Sequence, residues 1–507
     1  MAQINVSDLT FCYEGSFDDI FKDVSFTIDT DWKLGFVGRN GKGKTTFLQL
    51  LLGKYEYSGS ITTSVLFDYF PYQIQESQMG LCASGFIEDL KPGCEEWRVI
   101  CELAKLNASA DLLYRPFGTL SHGERTKVLL AVLFSGENEL LLIDEPTDHL
   151  DQEAREVVKG YLREKEGFIL VSHDRDLLDA CIDHVLVLNR GSIEVVSGNF
   201  SSWWEDKARR DHFAKMENEK HLRQIGVMKR AVDQSGRWAR KNEASKIGFD
   251  PVKEHDRSKD ARAYIGAKTK KMQKRVKQYE KRMEREIQAK EGLLTDIEEP
   301  AALKIGPLSY RREGLICCRG LSAGYGAECV LQDFSFGLER GERVFLHGKN
   351  GCGKSTFLKA LLAAGGWPIE NAPQILAGEL KVGAGAVISY VSQDTSFLRG
   401  TIWDFCESRG LDESLFCALL RQLDMERVQF SKDMKDFSEG QKKKVLLAAS
   451  LMTPAHLYIW DEPLNYVDVF SRMQIEELLL SYQPTMLLVE HDVRFRERVA
   501  TRVVKID

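Results

Sequence analysis

Two glycine-rich stretches of the chain have the composition of a phosphate-binding loop. Gly38 to Thr46 reads GRNGKGKTT and Gly348 to Thr356 reads GKNGCGKST, and both match G-x-x-x-x-G-K-[ST]. Each follows one apolar run and leads into another, which is the order of strand, loop and helix that such a loop requires. Glycines let successive backbone N–H groups curl around a β-phosphate, and the helix N-terminus adds its positive dipole end. The repeat therefore predicts two binding sites for ATP or GTP.

Within each loop we expect the lysine to reach the β- and γ-phosphate oxygens and the next hydroxyl side chain to face Mg²⁺. The predicted nucleotide-binding residues of the first loop are Gly38, Asn40, Gly41, Gly43, Lys44, Thr45 and Thr46. Those of the second loop are Gly348, Asn350, Gly351, Gly353, Lys354, Ser355 and Thr356. Thr45 and Ser355 are also predicted to contact the metal ion.

Paired carboxylates follow an apolar run downstream of each glycine loop. The segment LLLIDEPTDHLD carries Asp144 and Glu145, and LYIWDEPLNYVD carries Asp461 and Glu462. An aspartate at a strand end can hold Mg²⁺ through water, and a neighbouring glutamate can polarise the water that attacks a γ-phosphate. The sequence therefore predicts the two aspartates as metal-site residues and the two glutamates as catalytic residues.

A histidine follows each carboxylate pair at nearly the same distance. His173 stands 28 residues after Glu145, and His491 stands 29 residues after Glu462, each just beyond a further apolar run. A lone histidine is usually structural, but the matched spacing in both halves favours a contact with the γ-phosphate. Both histidines are therefore predicted catalytic residues.

Two short motifs indicate the superfamily. LSHGE begins at Leu120 and FSEGQ begins at Phe437, and each serine precedes its strand-end aspartate by 23 residues. Both motifs resemble the LSGGQ signature of ATP-binding-cassette proteins, with His122 and Glu439 in place of the first glycine. The serine hydroxyl and the glycine amide would open a helix and bind a γ-phosphate there.

The cassette resemblance implies an α/β fold with two P-loop NTPase domains that hold two ATP molecules head to tail. In that family the signature of one half binds the nucleotide of the other half, and the two halves of this monomer would close on each other. The first site would join Lys44, Asp144, Glu145 and His173 to Ser438 and Gly440. The second site would join Lys354, Asp461, Glu462 and His491 to Ser121 and Gly123. Because both sites keep glutamate and histidine, both are expected to hydrolyse ATP.

Smaller positions of the cassette family also match. Tyr13 in LTFCY and Tyr325 in LSAGY match the aromatic residue that stacks on adenine. Gln393 in SYVSQD matches the Q-loop glutamine, which implies a contact with Mg²⁺. In DYFPYQ the predicted counterpart is Gln73, although Tyr72 could occupy the expected slot.

The roughly one hundred residues between the two halves have a different composition. From Ser201 to Lys290 the chain has 26 Lys and Arg against 14 Asp and Glu, whereas the whole protein has a net charge of −7. Asn199 or Ser201 is a plausible N-cap for a helix that runs to about Trp238, and a second helix is predicted over 259–294. At 1.5 Å per residue, such a helical hairpin would reach roughly 50–60 Å.

The stretch RWARKNEASKIGFDPVKEHDRSK is the predicted turn of this hairpin, with a tip near 240–260. A basic shaft would neutralise phosphate repulsion in structured RNA, and aromatic side chains could stack on bases. The alternative is a solvated helix pair whose charges only keep it soluble. The candidate stacking residues are Trp203, Trp204, Trp238, Phe249 and Tyr264. The predicted contact residues at the tip are Lys246, Ile247 and Phe249.

Two cassettes joined by a basic hairpin resemble the ABC-F family of ribosome-associated ATPases. GNFSSWW, EPTDHLD and WDEPLNYVDVF are most similar to its antibiotic-resistance branch, the Vga/Lsa-type ribosomal protection proteins. The resemblance covers essentially the whole chain. It implies a first cassette over 1–200, a linker over 201–300 and a second cassette over 301–507, with a possible short arm insertion over 75–116.

By that resemblance, the ATP-bound protein enters the E site of the 70S ribosome and directs its linker toward the P-site tRNA and 23S rRNA. Lincosamides, streptogramin A and pleuromutilins would thereby be dislodged from the peptidyl-transferase centre. A housekeeping translation factor of the same family, acting on stalled ribosomes, is the alternative. A tandem ATPase subunit of a transporter is a more distant one.

Composition argues against several other classes of protein. The start of the chain has no signal-peptide pattern, and no run of 18 apolar residues occurs, so a cytoplasmic protein without a membrane span is expected. The 11 cysteines form no CxxC pair. This pattern favours free thiols over disulfides or a zinc site.

Overall fold

The computed structural model describes most of the two halves and part of the segment between them. The described residues are 2–13, 19–39, 41–136, 139–148, 150–188, 193–244, 270, 271, 274, 277–279, 281–283, 285, 303–326, 328–349, 351–369, 371–423 and 425–506. The chain divides into two compact units, of which one is Met1–Trp203 with Ala301–Asp507 and the other is Trp204–Pro300. No helix of the described residues is long and apolar enough to cross a membrane.

The first half contains two sheets that flank the first glycine loop. A small antiparallel sheet has the order β2-β1-β4, and a larger sheet has the order β5-β6-β7-β3-β8-β9, with β9 antiparallel to β8. Strand β6 is the apolar run that ends at Asp144, the predicted metal-site aspartate, and its four central side chains are buried because both faces of the sheet are covered. The strands are β1 Gln3–Phe11, β2 Phe21–Asp29, β3 Lys33–Gly38, β4 Ser58–Thr62, β5 Leu66–Phe70, β6 Glu139–Asp144, β7 Phe168–Val171, β8 His184–Leu188 and β9 Ile193–Ser197.

The second half repeats this arrangement. Its antiparallel sheet has the order β11-β10-β13, and its parallel sheet has the order β14-β15-β16-β12-β17. The strands are β10 Gly314–Tyr325, β11 Glu328–Glu339, β12 Arg343–His347, β13 Gln374–Val382, β14 Ile388–Val391, β15 Leu457–Asp461, β16 Met486–Val489 and β17 Arg502–Lys505. The predicted α/β fold with two P-loop cassettes is therefore confirmed.

Helices cover the sheets and carry the loops of the sites. In the first half and its continuation they are α1 Lys44–Leu51, α2 Ile87–Leu90, α3 Glu96–Lys105, α4 His122–Leu133, α5 Gln152–Arg163, α6 Arg175–Cys181 and α7 Phe200–Ala244. In the second half they are α8 Lys354–Ala364, α9 Ile402–Arg409, α10 Glu413–Gln422, α11 Glu439–Met452, α12 Val469–Tyr482 and α13 Val493–Val499. Short 3₁₀ turns are found at Glu76–Gln78, Ala83–Gly85, Ala110–Tyr114, Phe117–Thr119, Arg427–Ser431 and Met434–Asp436.

The segment 75–116, predicted as a possible arm, packs against the first cassette through helix α3. Helix α3 packs on α4, and Val99 and Leu103 are fully buried there. In the second half, α10 packs on α11, and Phe416 and Leu420 are buried. A comparable helix pair therefore packs in both halves, and the arm over 75–116 stays a prediction.

Helix α7 begins the segment between the cassettes and is longer than predicted. It has 45 residues and ends at Ala244, which gives a length of about 68 Å at 1.5 Å per residue. Of the two proposed N-caps, Asn199 is the one observed, because its side-chain oxygen accepts from the backbone N–H of Ser202 at 3.0 Å. In the second predicted helix, the described residues between 270 and 285 are helical.

Trp203 is a core residue, which corrects its prediction as a base-stacking surface. Its side chain is 2% exposed and contacts Phe200 of its own helix and Phe470 of α12. The sequence placed it in a polar helix, but the first turn of α7 is still part of the larger compact unit. The predicted tip residues Lys246, Ile247 and Phe249 lie outside the described residues.

Candidate nucleotide-binding and hydrolysis sites

Both glycine loops join a buried strand to a helix and hold their lysine close to the loop. Lys44 Nζ donates to the carbonyl oxygens of Gly38 at 2.7 Å and Arg39 at 3.2 Å. Lys354 Nζ makes the equivalent bonds in the second half, at 2.7 Å to the carbonyl of Gly348 and at 2.8 Å to that of Lys349. The two loops therefore have one geometry, as their shared sequence predicts.

Two positions in the loops leave no room for a side chain. Gly43 has φ 104° at the N-cap of α1, and a Cβ atom there would lie 2.5 Å from Ile20 Cγ2. A Cβ atom at Gly348 would lie 2.4 Å from the carbonyl oxygen of Ile506. Left-handed backbone and close approach both require glycine. Asn40 and Asn350, also predicted in these loops, lie outside the described residues.

The register of the parallel strands brings each predicted histidine to its glutamate. Asp144 pairs with Val171 across β6 and β7, so the residues just beyond the two strand ends are neighbours. His173 Nε2 consequently lies 3.3 Å from Glu145 Oε1, and its backbone N–H donates to Glu145 Oε2 at 3.2 Å. In the second half, His491 Nε2 lies 3.5 Å from Glu462 Oε1.

The two glutamates also share an uncommon backbone conformation. Glu145 has φ 49° and Glu462 has φ 48°, in the left-handed region that residues other than glycine rarely adopt. Residues held in such conformations cluster at functional sites, where the surrounding structure imposes them. The strand-to-loop turn in each half therefore turns its glutamate away from the strand axis in the same way.

The residues next to each strand end fit a divalent cation. Thr45 Oγ1 lies 3.1 Å from Asp144 Oδ2, so a hydroxyl and a carboxylate are adjacent in the first half. Asp461 Oδ1 is buried and has no hydrogen-bond partner, and burial raises the pKa of this carboxyl to about 7. Ser355 lines the cavity beside Lys354. Oxygen donors of this kind, together with phosphates and water, suit Mg²⁺, which would draw the carboxylates into their ionised form.

A cavity of about 460 Å³ joins the first half to the signature motif of the second half. Glu145 and His173 line it from the first half, and Ser438, Glu439 and Gly440 line it from the second. The predicted first site is therefore assembled from both halves. Gly41 of the first glycine loop also lines this cavity.

A second cavity, of about 560 Å³, has the reciprocal composition. Glu462 and His491 line it from the second half, and His122 lines it from the first half. His122 stands between Ser121 and Gly123, the two signature residues predicted to bind here. The other predicted residues that line this cavity are Tyr325, Gly351, Gly353, Lys354, Ser355, Thr356 and Gln393.

Each signature motif forms a helix N-cap with reciprocal bonds. Ser121 Oγ accepts from the backbone N–H of Glu124 at 3.3 Å, and Glu124 Oε2 accepts from the N–H of Ser121 at 2.8 Å. Ser438 and Gln441 form the same pair of bonds. The last residue of the motif thus fixes the start of the helix, and the serine and the amides of the first turn face the opposite half.

The two predicted adenine-stacking tyrosines lie beside the glycine loops and remain partly exposed. Tyr13 is 40% exposed, and its hydroxyl is 2.8 Å from Thr46 Oγ1 in the first turn of α1. Tyr325 is 38% exposed and lines the second cavity. An aromatic ring with a free face next to the phosphate loop is suited to stacking on a base.

The two Q-loop positions differ. Gln393 Nε2 donates to Glu462 Oε2 at 2.8 Å. Phe70 of the first half pairs with Ile143, and Val391 of the second half pairs with Trp460, each one residue before the strand-end aspartate. Counting two residues on from each pair, Tyr72 and not Gln73 corresponds to Gln393. Tyr72 donates its hydroxyl to Asp68 at 2.5 Å, and Tyr69 donates to Asp144 at 3.1 Å. Gln73 itself is exposed.

Burial and charge act differently on the two glutamates. Burial raises the pKa of Glu145 well above its ordinary value, and the carboxyl of Asp148 adds to the rise. Burial also lowers the pKa of His173 well below its usual range, as does the charge of Lys44, so this imidazole is neutral near pH 7. Burial also acts to raise the pKa of Glu462. Hydrogen bonding and charge from His491 act in the opposite direction, so the pKa of Glu462 is lowered overall.

Several residues that line the cavities were not predicted from the sequence. Lys444 and Tyr466 line the first cavity, and Arg155 and Asn465 line the second. Lys444 lies on α11, after the FSEGQ motif in the sequence, and Arg155 lies on α5, after the LLLIDEPTDHLD motif. Asn465 stands three residues after Glu462 within a recognised motif, so its position could have been identified by comparing the two halves.

The fold and the two cavities define a tandem-cassette P-loop ATPase in which each site combines both halves. A family model described as ABC transporter matches residues 21–148 and 331–465. The chain belongs to this family and is an ATP-hydrolysing enzyme.

Relatives of similar length match nearly the whole chain. The ribosome protection protein VmlR of Bacillus subtilis is 26% identical over 497 residues, which cover 96% of this chain and 84% of VmlR. The energy-dependent translational throttle protein EttA of Haemophilus influenzae is 25% identical over 537 residues, with 96% and 88% covered. Among solved structures, the archaeal ribosome recycling factor aABCE1 has a TM-score of 0.60 at 18% identity, covering 98% of this chain and 87% of that one. This last likeness shows the fold alone.

Proposed function

We propose that this ATPase acts on the 70S ribosome, and that closure of its two ATP sites brings the basic linker against ribosomal RNA. The observation that carries the proposal is the long cationic helix between two complete cassettes. Relatives named for ribosome protection and for translational throttling, which match this chain from end to end, support it.

The exposed charge of the linker supports a polyanionic partner. On α7 the cationic residues described as exposed are Arg209, Arg210, Lys215, Lys220, Arg223, Lys229, Arg230 and Arg237. Further along, the exposed cationic residues are Lys270, Lys271, Lys274, Lys277, Lys281, Arg282 and Arg285. Lysine and arginine side chains that neutralise phosphates release bound counterions, which favours association with RNA at moderate salt.

The finer form of the proposal is protection against antibiotics. The ATP-bound protein enters the E site, and the linker tip acts on 23S rRNA and the P-site tRNA near the peptidyl-transferase centre. Lincosamides, streptogramin A and pleuromutilins then leave their sites, and ATP hydrolysis with Mg²⁺ releases the protein. The similarity to VmlR supports this form. We expect the protein to work in the cytoplasm as a monomer.

A housekeeping role in translation is the second candidate. The similarity to EttA is as extensive as that to VmlR and supports it equally. In this form the same cycle acts on stalled ribosomes, and no drug is displaced. Both candidates require ribosome binding in the ATP state, so they share the first test and differ in the second.

The first test uses Glu145→Gln/Glu462→Gln protein, which we expect to bind ATP without hydrolysing it. Sedimentation through sucrose with 70S ribosomes should recover this variant with the ribosomes in ATP, and recover far less of it in ADP. Cryo-electron microscopy of the pellet should place the linker in the E site. Equal sedimentation with both nucleotides, or a linker in open solvent, would refute ribosome action through the linker.

The second test separates the two candidates. Expression of the wild-type chain in a sensitive host should raise the inhibitory concentrations of lincosamides and pleuromutilins, and Glu145→Gln/Glu462→Gln protein should not. Unchanged inhibitory concentrations, together with ATP-dependent ribosome binding, would favour the housekeeping role.

A further inference from the structure

The catalytic glutamate of the second cavity is held by two amide donors. Asn465 Nδ2 donates to Glu462 Oε2 at 2.7 Å, and Gln393 Nε2 donates to the same oxygen at 2.8 Å. The imidazole of His491 lies 3.5 Å from the other oxygen, Oε1. Both oxygens of this carboxylate therefore have side-chain neighbours, which restricts the rotation of its plane.

The first half has a carboxylate where the second half has the amide of Asn465. Asp148 stands three residues after Glu145, as Asn465 stands three residues after Glu462. An ionised carboxylate accepts hydrogen bonds and cannot donate one. The Q-loop donor is missing as well, because Tyr72 occupies that register and donates to Asp68. Asp148 also lines the first cavity, next to Glu145.

The consequence is visible at the glutamate itself. Glu145 Oε2 accepts from the backbone N–H of His173, whereas Glu145 Oε1 is buried and has no hydrogen bond. His173 Nε2 lies 3.3 Å from Oε1, without the alignment of a hydrogen bond. The side chain in the first cavity is thus held by backbone on one oxygen and by no side-chain amide.

We propose that Asn465 is a positioning residue for Glu462, and that Asp148 makes the two ATP sites unequal, with hydrolysis faster at the Glu462 site. Activation of a water molecule depends on the direction of the accepting carboxylate oxygen, and misplacement by about 1 Å can reduce a rate by about a hundredfold. The amide of Asn465 supplies that direction, and a carboxylate at the same place withholds it.

The two cavities also differ in the signature residue that lines the wall opposite the catalytic glutamate. Glu439 lines the first cavity from the signature motif, where Thr395 donates to it at 2.5 Å and Lys442 at 2.9 Å. These bonds lower the pKa of Glu439 and keep it ionised. At the matching position, His122 lines the second cavity. The signature wall of the first site therefore has a carboxylate, paired with Lys442, where the second site has an imidazole.

The test exchanges the two residues, one site at a time. Glu462→Gln protein reports the first site and Glu145→Gln protein reports the second, both by rapid-quench measurement of the ADP formed in the first turnover. First-turnover measurement is needed because a dead partner site can hold the halves closed. Equilibrium binding of a fluorescent ATP analogue provides a readout that is independent of hydrolysis.

We expect the first site to be slower by about tenfold or more, the effect of one hydrogen bond to a charged group. In the Glu462→Gln background, Asp148→Asn should raise the first-turnover rate by a similar factor. In the Glu145→Gln background, Asn465→Asp should lower it. Affinity for the analogue should change far less than the rate in each exchange, because the glycine loops that are predicted to bind the phosphates are unchanged.

An alanine variant separates hydrogen bonding from charge. Asp148→Ala removes the carboxylate without adding a donor, so it should leave the first site slow, whereas Asp148→Asn should restore it. Equal first-turnover rates in the two glutamine backgrounds would overturn the inequality. Equal rates for Asp148→Ala and Asp148→Asn would overturn the positioning role of the amide.

Discussion

Arg494 of the second cassette binds Asp179 of the first, with Nη2 at 2.6 Å from Asp179 Oδ2. The same aspartate accepts from the backbone N–H of Ser201 at 2.7 Å, and Arg494 Nη1 donates to Ser201 Oγ at 2.9 Å. Ser201 lies in the first turn of α7. One arginine therefore connects α13, which follows the catalytic His491, with the first turn of the helix that leads into the linker.

Replacement of Arg494 by Met should loosen the start of α7 without disturbing the ATP sites. The variant removes the cation that joins Asp179 and Ser201, so the amides of 200–204 should exchange hydrogen faster, while those of β6 and β15 should not. Hydrogen exchange with mass spectrometry measures both. Arg496→Met is the matched control, because Arg496 also reaches the first half, where it donates to Gln152 at 3.1 Å, but does not touch α7. Faster exchange at 200–204 in both variants would show a general loss of contact between the halves instead.

Replacement of both catalytic glutamates by Gln should abolish turnover and preserve ATP binding. Loss of a general base lowers a rate by about 10²–10⁴-fold, whereas the glycine loops that bind the phosphates are unchanged. Steady-state ADP release and equilibrium nucleotide binding should separate the two effects. Glu153→Gln is a control, since this exposed residue pairs with Lys349 across the halves and contacts no catalytic side chain. Residual turnover near that of the control would disprove the assigned roles of Glu145 and Glu462.

Much of the site could be predicted because its chemistry is local in sequence. A glycine loop, a strand-end acid pair and a capped signature helix each lie within a dozen residues, and their physical requirements restrict the residue types. The strand register then brought His173 to Glu145 at 3.3 Å, as the matched spacing indicated. The pairing of cavities across the halves followed from the family resemblance and not from any local pattern.

The features that could not be predicted depend on contacts between distant segments. Trp203 has the local sequence of a polar helix, and only its contact with Phe470 makes it a core residue. The segment 75–116 lacks a motif, and the comparable helix pair in the second half is recognised by packing and not by sequence. Tyr72 and Gln73 differ by one position, which the register of β5 against β6 decides.

Neutralising cationic residues of the linker should reduce the salt dependence of ribosome binding. Lys270, Lys271 and Lys274 are exposed, and each phosphate contact that is lost should lower the slope of log K against log salt by about 0.7–0.9. Binding of the Gln double variant to ribosomes between low and physiological salt measures this slope. The control replaces three exposed lysines of the cassettes, Lys22, Lys304 and Lys432, by Gln. If both triple variants change the slope equally, the linker has no special role in RNA contact.

A buried ion pair joins the two cassettes, and its loss should destabilise the protein. Arg175 of α6 is 4% exposed and Glu476 of α12 is 1% exposed, and they form a two-point contact to which Arg498 adds a bond of 3.0 Å. Glu476→Ala leaves a guanidinium buried without its carboxylate, which costs about 3–5 kcal/mol. Chemical denaturation should show a lower midpoint for this variant. Glu477→Ala is the matched control, because Glu477 is the exposed neighbour on the same helix. The midpoint of Glu476→Gln should fall between those of Glu476→Ala and Glu477→Ala, since this variant keeps an acceptor for Arg175 but removes the charge. A Glu476→Ala midpoint equal to that of the wild type would show that the ion pair does not stabilise the contact between the halves.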